Sequence, residues 1–397
     1  MKEYFLKDLI TIKNGKDYKH LKDGDIPVYG TGGVMTYVDE YICDNESVLL
    51  PRKGSLDNIM YASGKFWTVD TMYWTEVNWE KVYPRYLYYY LSLLDLSSRD
   101  SGSALPSMTF DSYYQLHVNI PSLGEQRKIL DILEPIDKKI EINNQINDNL
   151  FNYCKLIYTQ FFLQYDFISN GNPYKSAGGS FSYNEALKKE IPSDWNVKHL
   201  EDVISTIIDH RGRTPKKLGG DWAPKGQGIM ALSAKLVKNN TLNNLDSANW
   251  VTPEMYSKWM PEELEDGDIL MTSEAPLGEF YFIKGFSKYC LSQRLFAIRS
   301  DKAICTPSYL FMYLSLGEGY QQIIGKQSGS TVFGIRQDEL RKVNVIVPPV
   351  SIQNNFSNIA DPLFLKIRNN ELETIQLTKL RNWLLPLLMN GQATISD

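Results

Sequence analysis

The sequence predicts an α+β protein in which two repeated β-rich domains with short helices are separated by two long helices. Those helices are expected to form an antiparallel coiled coil with pseudo-two-fold symmetry. Three observations carry this: an ordered series of landmarks occurs twice, strand-like runs alternate with turn residues, and a 3.5-residue apolar period appears in both halves. At 397 residues the chain also exceeds the usual size of one hydrophobic core.

The landmarks keep their order. Leu6-Lys7-Asp8-Leu9 returns as Leu200-Glu201-Asp202-Val203, and Ser47-Val48-Leu49-Leu50 as Asp268-Ile269-Leu270-Met271. Pro84-x-Tyr86-Leu87-Tyr88-x-Tyr90-Leu91-Ser92 returns as Pro307-x-Tyr309-Leu310-Phe311-x-Tyr313-Leu314-Ser315. Ser101-Gly102-Ser103 answers Ser328-Gly329-Ser330, and Ile120-Pro121-x4-Gln126 answers Val347-Pro348-x4-Gln353. The offset rises from 194 to 221 between the first two landmarks and reaches only 227 by the last. The second copy therefore carries about 27 extra residues, placed in a turn-rich, exposed segment.

In each copy a strand-rich part comes first. The runs Ser47–Leu50, Phe66–Val69, Phe280–Ile283 and Leu295–Ile298 lie between Gly, Pro, Asn and Asp turns. Short helices over Pro84–Leu94 and Pro307–Leu316 open on proline, where a missing N–H costs little. The long helical part follows. Ile129, Leu133, Ile136, Ile140, Asn143, Asn147, Leu150, Cys154, Ile157 and Phe161 alternate in steps of four and three, the mark of a coiled-coil seam. Adding 227 gives a second seam with Leu363, Ile367, Asn370 and Leu377, in which Asn143 falls on Asn370 and Pro135 on Pro362. A buried seam Asn usually sets register. The prolines predict a break in each helical segment, with about 28 residues beyond it, or roughly 42 Å of rod. The expected domains are 1–119 and 193–346 as the two heads, 120–168 and 347–397 as the spacer helices, and 169–192 as a linker.

Two unlike heads on paired rods would suit two half-sites on one duplex, since roughly 42 Å spans roughly 12 base pairs. The net charge of -5 argues against a nucleic-acid binder unless the positive charge is local. It is local: residues 205–240 hold seven Lys and Arg against two Asp.

The whole layout resembles the specificity (S) subunits of type I restriction–modification systems. The residues that carry the likeness are Ile26-Pro27-Val28-Tyr29-Gly30-Thr31-Gly32-Gly33, Leu50-Pro51-Arg52-Lys53-Gly54-Ser55, and Pro121-x3-Glu125-Gln126-Arg127-Lys128-Ile129. Glu190-Ile191-Pro192-Ser193-Asp194-Trp195 and Arg211-Gly212-Arg213-Thr214-Pro215 complete them. The second helix entry departs from the pattern, reading Gln353-Asn354-Asn355-Phe356, and no spacer helix precedes the first head. The resemblance implies a non-catalytic subunit that recognises a bipartite, asymmetric target in double-stranded DNA. It also implies docking of two methyltransferase subunits and, through the complex, of restriction subunits. S-adenosylmethionine, ATP and magnesium would belong to those partners, with no cofactor in this chain. A stand-alone bipartite DNA-binding regulator is the alternative.

Phosphate contacts need Lys, Arg and small hydroxyl donors on loops, and base readout needs Arg, Lys, Asn, Gln or Ser at groove edges. The expected DNA-binding residues in the first head are Thr31, Arg52, Lys53, Ser55, Ser101 and Ser103. In the second head they are Arg211, Arg213, Thr214, Lys216, Lys217, Ser328, Ser330 and Thr331. The expected helix-pairing seam is Ile136, Ile140, Asn143 and Leu150 against Leu363, Ile367, Asn370 and Leu377.

Catalytic readings fail on inspection. Gly30–Gly33 does not fit G-x-G-x-x-G, and Gly319–Lys326 misses the P-loop spacing and has Gln327 in place of the Ser or Thr. The four histidines are scattered, so no zinc site is expected. The acidic run from Glu262 to Asp268 reads as a solvated turn, and Trp195, Trp222, Trp250 and Trp259 read as packing residues before base-stacking ones. A repeat-built nuclease or glycosidase is therefore disfavoured. Four dispersed cysteines and the lack of a long apolar stretch point to a reduced, cytoplasmic protein with no membrane partner.

Overall fold

The computed structural model describes residues 1–99, 106–169, 171–285, 288–329 and 332–393. Two compact units make up the chain. The first comprises Met1–Ile142 with Glu373–Asp397, and the second Asn143–Leu372.

In the first unit a four-stranded antiparallel sheet runs in the order Ile10–Asn14, Met72–Val77, Ser47–Pro51, Met60–Ala62. The second unit repeats that order with Ile204–Asp209, Leu295–Ser300, Ile269–Thr272 and Phe280–Phe282. Each unit also holds one parallel pair. Asp23–Gly30 runs beside Lys65–Thr68 in the first, and Ile229–Leu232 beside Cys290–Leu291 in the second. A closing pair ties each head's first strand to its last: Lys2–Phe5 with His117–Ile120, and Asn196–His199 with Asn344–Val347. The repeat read from the landmarks is thus a repeat of hydrogen-bonded topology.

Apolar burial explains why the landmark residues recur. Val48, Leu50, Tyr86 and Leu87 lie in the core of the first unit, and Ile269, Met271, Tyr309 and Leu310 in that of the second. The short helices span Pro84–Leu91 and Pro307–Leu316, each with proline in the first turn. The buried glutamines have a specific task. Gln126 accepts from the Tyr83 N–H (2.9 Å) and donates to the carbonyls of Lys81 and Pro121 (3.0 Å each). Gln353 does the same with the Thr306 N–H (2.8 Å) and the carbonyls of Ile304 (3.0 Å) and Pro348 (2.8 Å). Each glutamine fastens the first turn of a long helix to the residues that open the short one.

The long helices span Leu123–Tyr158 and Val350–Met389, and both run unbroken through their prolines. This corrects the expected break. Proline removes one N–H, and the carbonyls so released belong to Asp131 and Asn358, both exposed to solvent that can hydrate them. Buried Leu133 in the first unit, and Ala360 and Phe364 in the second, pin the flanking turns.

The helices pair antiparallel. Within the first unit Arg381 donates to Asp137 at 3.0 Å, and Lys139 faces Glu373 at 3.3 Å. Within the second, Asn147 meets Asn370, and Phe161 lies 6.3 Å from Phe356, so partner numbers fall on one helix as they rise on the other. Asn143 and Asn370 are buried, and Ile136, Ile140, Leu150, Leu363, Ile367 and Leu377 are half-buried, none facing open solvent. The buried Asn147–Asn370 contact departs from the simple 143-to-370 equivalence, because antiparallel packing brings different seam positions together.

Residues 169–192 carry two short hairpins, and Ile191 is buried beside Trp195, which stacks on Phe167 at 5.5 Å. The extra residues of the second copy do more than form exposed turns. They fall between Val203 and Asp268, a stretch that includes the helix Pro253–Trp259, and Trp259, Tyr256, Val251 and Leu236 there share a core with Leu270, Tyr281 and Ala297 of the four-stranded sheet. No helix among the described residues is long and apolar enough to cross a membrane. The four cysteines are free and buried.

Candidate nucleic-acid interface

In the first unit, two of the expected segments meet. The Asp23–Gly30 and Gly33–Val38 hairpin turns at Thr31, whose carbonyl accepts from the Asn58 amide at 2.6 Å. The loop after Ser47–Pro51 lies against it, and a Cβ placed on Gly54 would sit 3.6 Å from the Thr31 hydroxyl. Gly54 has φ +92°, a left-handed turn that glycine adopts freely. The loop backbone is fixed at both ends: the Arg52 N–H donates to the Thr71 carbonyl (2.8 Å), and the Gly54 N–H to the Pro106 carbonyl (2.9 Å). Lys53 and Ser55 are exposed and Arg52 is half-buried, its guanidinium 6.0 Å from the Tyr73 ring. A rigid backbone thus presents two cations and two hydroxyls on one loop pair.

The second unit builds the equivalent place differently. Ser273 stands where Arg52 does, donating its N–H to the Arg294 carbonyl at 2.9 Å, as Arg52 does to Thr71. Glu274 stands at Lys53, and its bridge to Gly334 matches that of Lys53 to Ser107. The basic pair of the first loop is gone. Positive charge comes instead from around a cleft of about 520 Å3, where Lys216, Lys235 and Arg294 stand with Thr214, Trp222 and Gln293.

Only Thr214 and Lys216 of the predicted cluster line that cleft. Arg211 is engaged by Asp209, with Nη2 to Oδ2 at 2.7 Å, and covers the Phe296 ring at 4.6 Å. Arg213 points inwards and donates to the Trp259 carbonyl at 2.6 Å. Lys217 donates to the Gly212 carbonyl at 2.8 Å, although its side chain is exposed. A turn this rich in glycine uses its own cations to satisfy carbonyls that no ladder pairs. Ser328 closes a small loop, exchanging backbone hydrogen bonds with Gly334 at 2.8 and 3.0 Å. Ser101, Ser103, Ser330 and Thr331 lie outside the described residues.

Sequence reasoning missed Gln293, Arg294 and Asn249 as cleft residues, since the first two immediately precede the strand Leu295–Ser300 and Asn249 opens the strand Asn249–Val251, with no motif around them. Trp222 packs against Trp259 with ring centroids 5.7 Å apart and leaves 39% of its surface exposed at the cleft. Trp195 and Trp259 are buried. The acidic run encloses Arg299, which binds buried Asp268 at 2.8 Å and reaches Glu262 (3.2 Å) and Glu265 (3.0 Å). Burial, with Arg213 adding to it, holds the His210 imidazole below its ordinary value. Among the described residues no group of three or more His, Cys, Asp or Glu could hold a metal ion.

Comparison with known proteins bears on both copies. The family described as "Type I restriction modification DNA specificity domain" matches residues 1–152 and 192–379. The type I restriction enzyme MjaIX specificity subunit of Methanocaldococcus jannaschii is 24% identical over 326 residues, covering 80% of this chain and 70% of that protein. The type I restriction enzyme HindI specificity subunit of Haemophilus influenzae is 25% identical over 399 residues, covering 85% and 82%. Among solved structures, the type I restriction–modification system S subunit from M. genitalium has the same fold. Its TM-score is 0.58 at 13% identity, over 100% of this chain and 96% of that one.

Proposed function

The chain belongs to the type I restriction–modification DNA specificity family, and on that premise we propose that it is the non-catalytic subunit that gives such a complex its address on DNA. Sequence specificity for DNA is the family's role. The finer reading is that each head contacts one half of a split, asymmetric target. One observation carries it: the two heads share a sheet order and a loop framework, yet place different side chains at the equivalent loop, Arg52-Lys53 in one and Ser273-Glu274 in the other. A shared scaffold with unlike loops is what two readers of unlike sequences need.

The paired helices then serve as a spacer and as docking rods. Their polar seam residues set register, and apolar side chains remain outside the pairing: Leu156 is 67% exposed in the second unit and Trp383 64% in the first. Exposed apolar residues of that size fit burial by partner subunits, which we take to be two methyltransferase subunits and, through them, restriction subunits. S-adenosylmethionine, ATP and magnesium are assigned to those partners, and this chain performs no chemical step.

The test is co-expression of the chain with its methyltransferase, followed by purification and methylation sequencing of the host. Recovery of a complex and of methylation at one split motif supports the proposal. A chain that binds a split DNA site but recovers no methyltransferase would establish the stand-alone regulator in its place.

A further inference from the structure

We propose that Arg294 reads a guanine in the second half-site, held in place by Glu274, while Lys216 and Lys235 hold the DNA backbone. This rests on the DNA-recognition reading and names the base class that one residue selects.

Four observations support it. Arg294 lines the cleft described above and is half exposed, so its head group is available to a ligand. Its Nε lies 3.2 Å from a Glu274 carboxylate oxygen, and among the described residues no partner takes its two Nη groups. An arginine buttressed on its Nε edge presents the remaining fork end-on. That is the geometry for bidentate donation to guanine O6 and N7, the commonest specific contact in the major groove.

The backbone supplies the third observation. Arg294 has φ +63°, a left-handed conformation unfavourable for an L-residue that carries a Cβ, and Ala275 beside the same cleft has φ +51°. The shared scaffold does not demand it. Thr71, which accepts the equivalent loop hydrogen bond in the first unit, is absent from the left-handed region. The turn therefore belongs to the second head alone, where specificity must differ from the first. Such local strain persists when it aims a side chain.

The fourth is the division among cations. Lys216 and Lys235 are exposed at the same cleft, Lys235 donating one of its three N–H groups to the Ser247 carbonyl at 2.8 Å and keeping two, and an ammonium on a flexible stem suits phosphate, whereas a planar guanidinium discriminates bases.

The experiment uses the full chain with its methyltransferase and compares Arg294→Lys, Arg294→Ala and Glu274→Gln by methylation sequencing of the host genome. The first two variants should relax one guanine position in the second half of the motif, with roughly tenfold to hundredfold loss of discrimination there, and leave the first half unchanged. Glu274→Gln should relax the same position more weakly. A motif unchanged in all variants overturns the inference. So does uniformly weaker methylation in Arg294→Ala that Arg294→Lys restores, since that marks a phosphate contact. Complete loss of methylation in Arg294→Lys at an unaltered melting temperature also overturns it, because one base contact governs one position. If the unaltered complex shows no split motif, the DNA-recognition reading itself has failed, which is a separate result.

Discussion

The Asn370 side-chain amide donates to the Asn147 side-chain carbonyl at 2.9 Å, buried between two antiparallel helices. A polar pair in an apolar seam has one good register, because any slip leaves buried amides facing methyl groups. Replacing one partner, as in Asn147→Leu, should destabilise the chain by about 1–3 kcal/mol, since the remaining amide is buried without its bond. The double replacement with leucine should recover most of that loss, while helix register becomes less well defined. Urea unfolding of the two single variants and the double gives the coupling directly. Additive losses would show that the pair does not act as a unit.

The glutamine clasps make a second prediction. Gln126→Ala strands the Tyr83 N–H and two carbonyls, and Gln353→Ala strands the Thr306 N–H and two more. Each should lower stability by about 1–3 kcal/mol. Exposed neighbours Arg127 and Asn354 should tolerate alanine within about 0.5 kcal/mol. Thermal unfolding separates the two classes, and equal effects would contradict the clasp.

These glutamines also mark how far the sequence could be read. The spaced Pro-x4-Gln motif was visible twice because a local helix entry needs its residues at fixed intervals. Sheet order was legible through buried runs such as Ser47–Leu50 and Leu295–Ile298. The cleft was not legible. Its residues come from positions as distant as Thr214, Asn249 and Arg294, and only the sheet brings them together. Arg211 and Arg213 misled for the opposite reason: a cation in a glycine-rich turn looks free in sequence, yet Asp209 and the Trp259 carbonyl claim them. The unbroken helices follow from solvent access at Asp131 and Asn358, which periodicity cannot show.

Salt dependence tests the backbone contacts. If Lys216 and Lys235 each neutralise a phosphate, Lys216→Ala and Lys235→Ala should each reduce the slope of log affinity against log salt by about 0.9. Sequence preference should stay as it was. Arg52→Ala and Lys53→Ala make the corresponding test in the first unit. Binding titrations at several salt concentrations on the duplex identified by methylation sequencing read the slopes. An unaltered slope removes the residue from the interface.

His210 predicts a pH effect. Its imidazole is buried, and burial followed by the Arg213 charge lowers its pKa in the folded chain, with Asp209 acting weakly in the other direction. As pH falls through the ordinary histidine range near about 6.5, the unfolded chain takes up this proton first, so acidification favours unfolding. Stability from this site is complete above that range and declines below it. His210→Asn should flatten the fall in melting temperature between about pH 7 and pH 5. An equal fall in both proteins would remove His210 as its cause.

Exchange of the first head is the decisive measurement. Residues 1–119 are replaced by the corresponding head of another family member, the hybrid is expressed with the methyltransferase, and host methylation is sequenced. One half of the recognised motif should change, the other half should stay, and the spacing between them should be kept. A motif altered in both halves, or in neither, would contradict the assignment of one reader to each head.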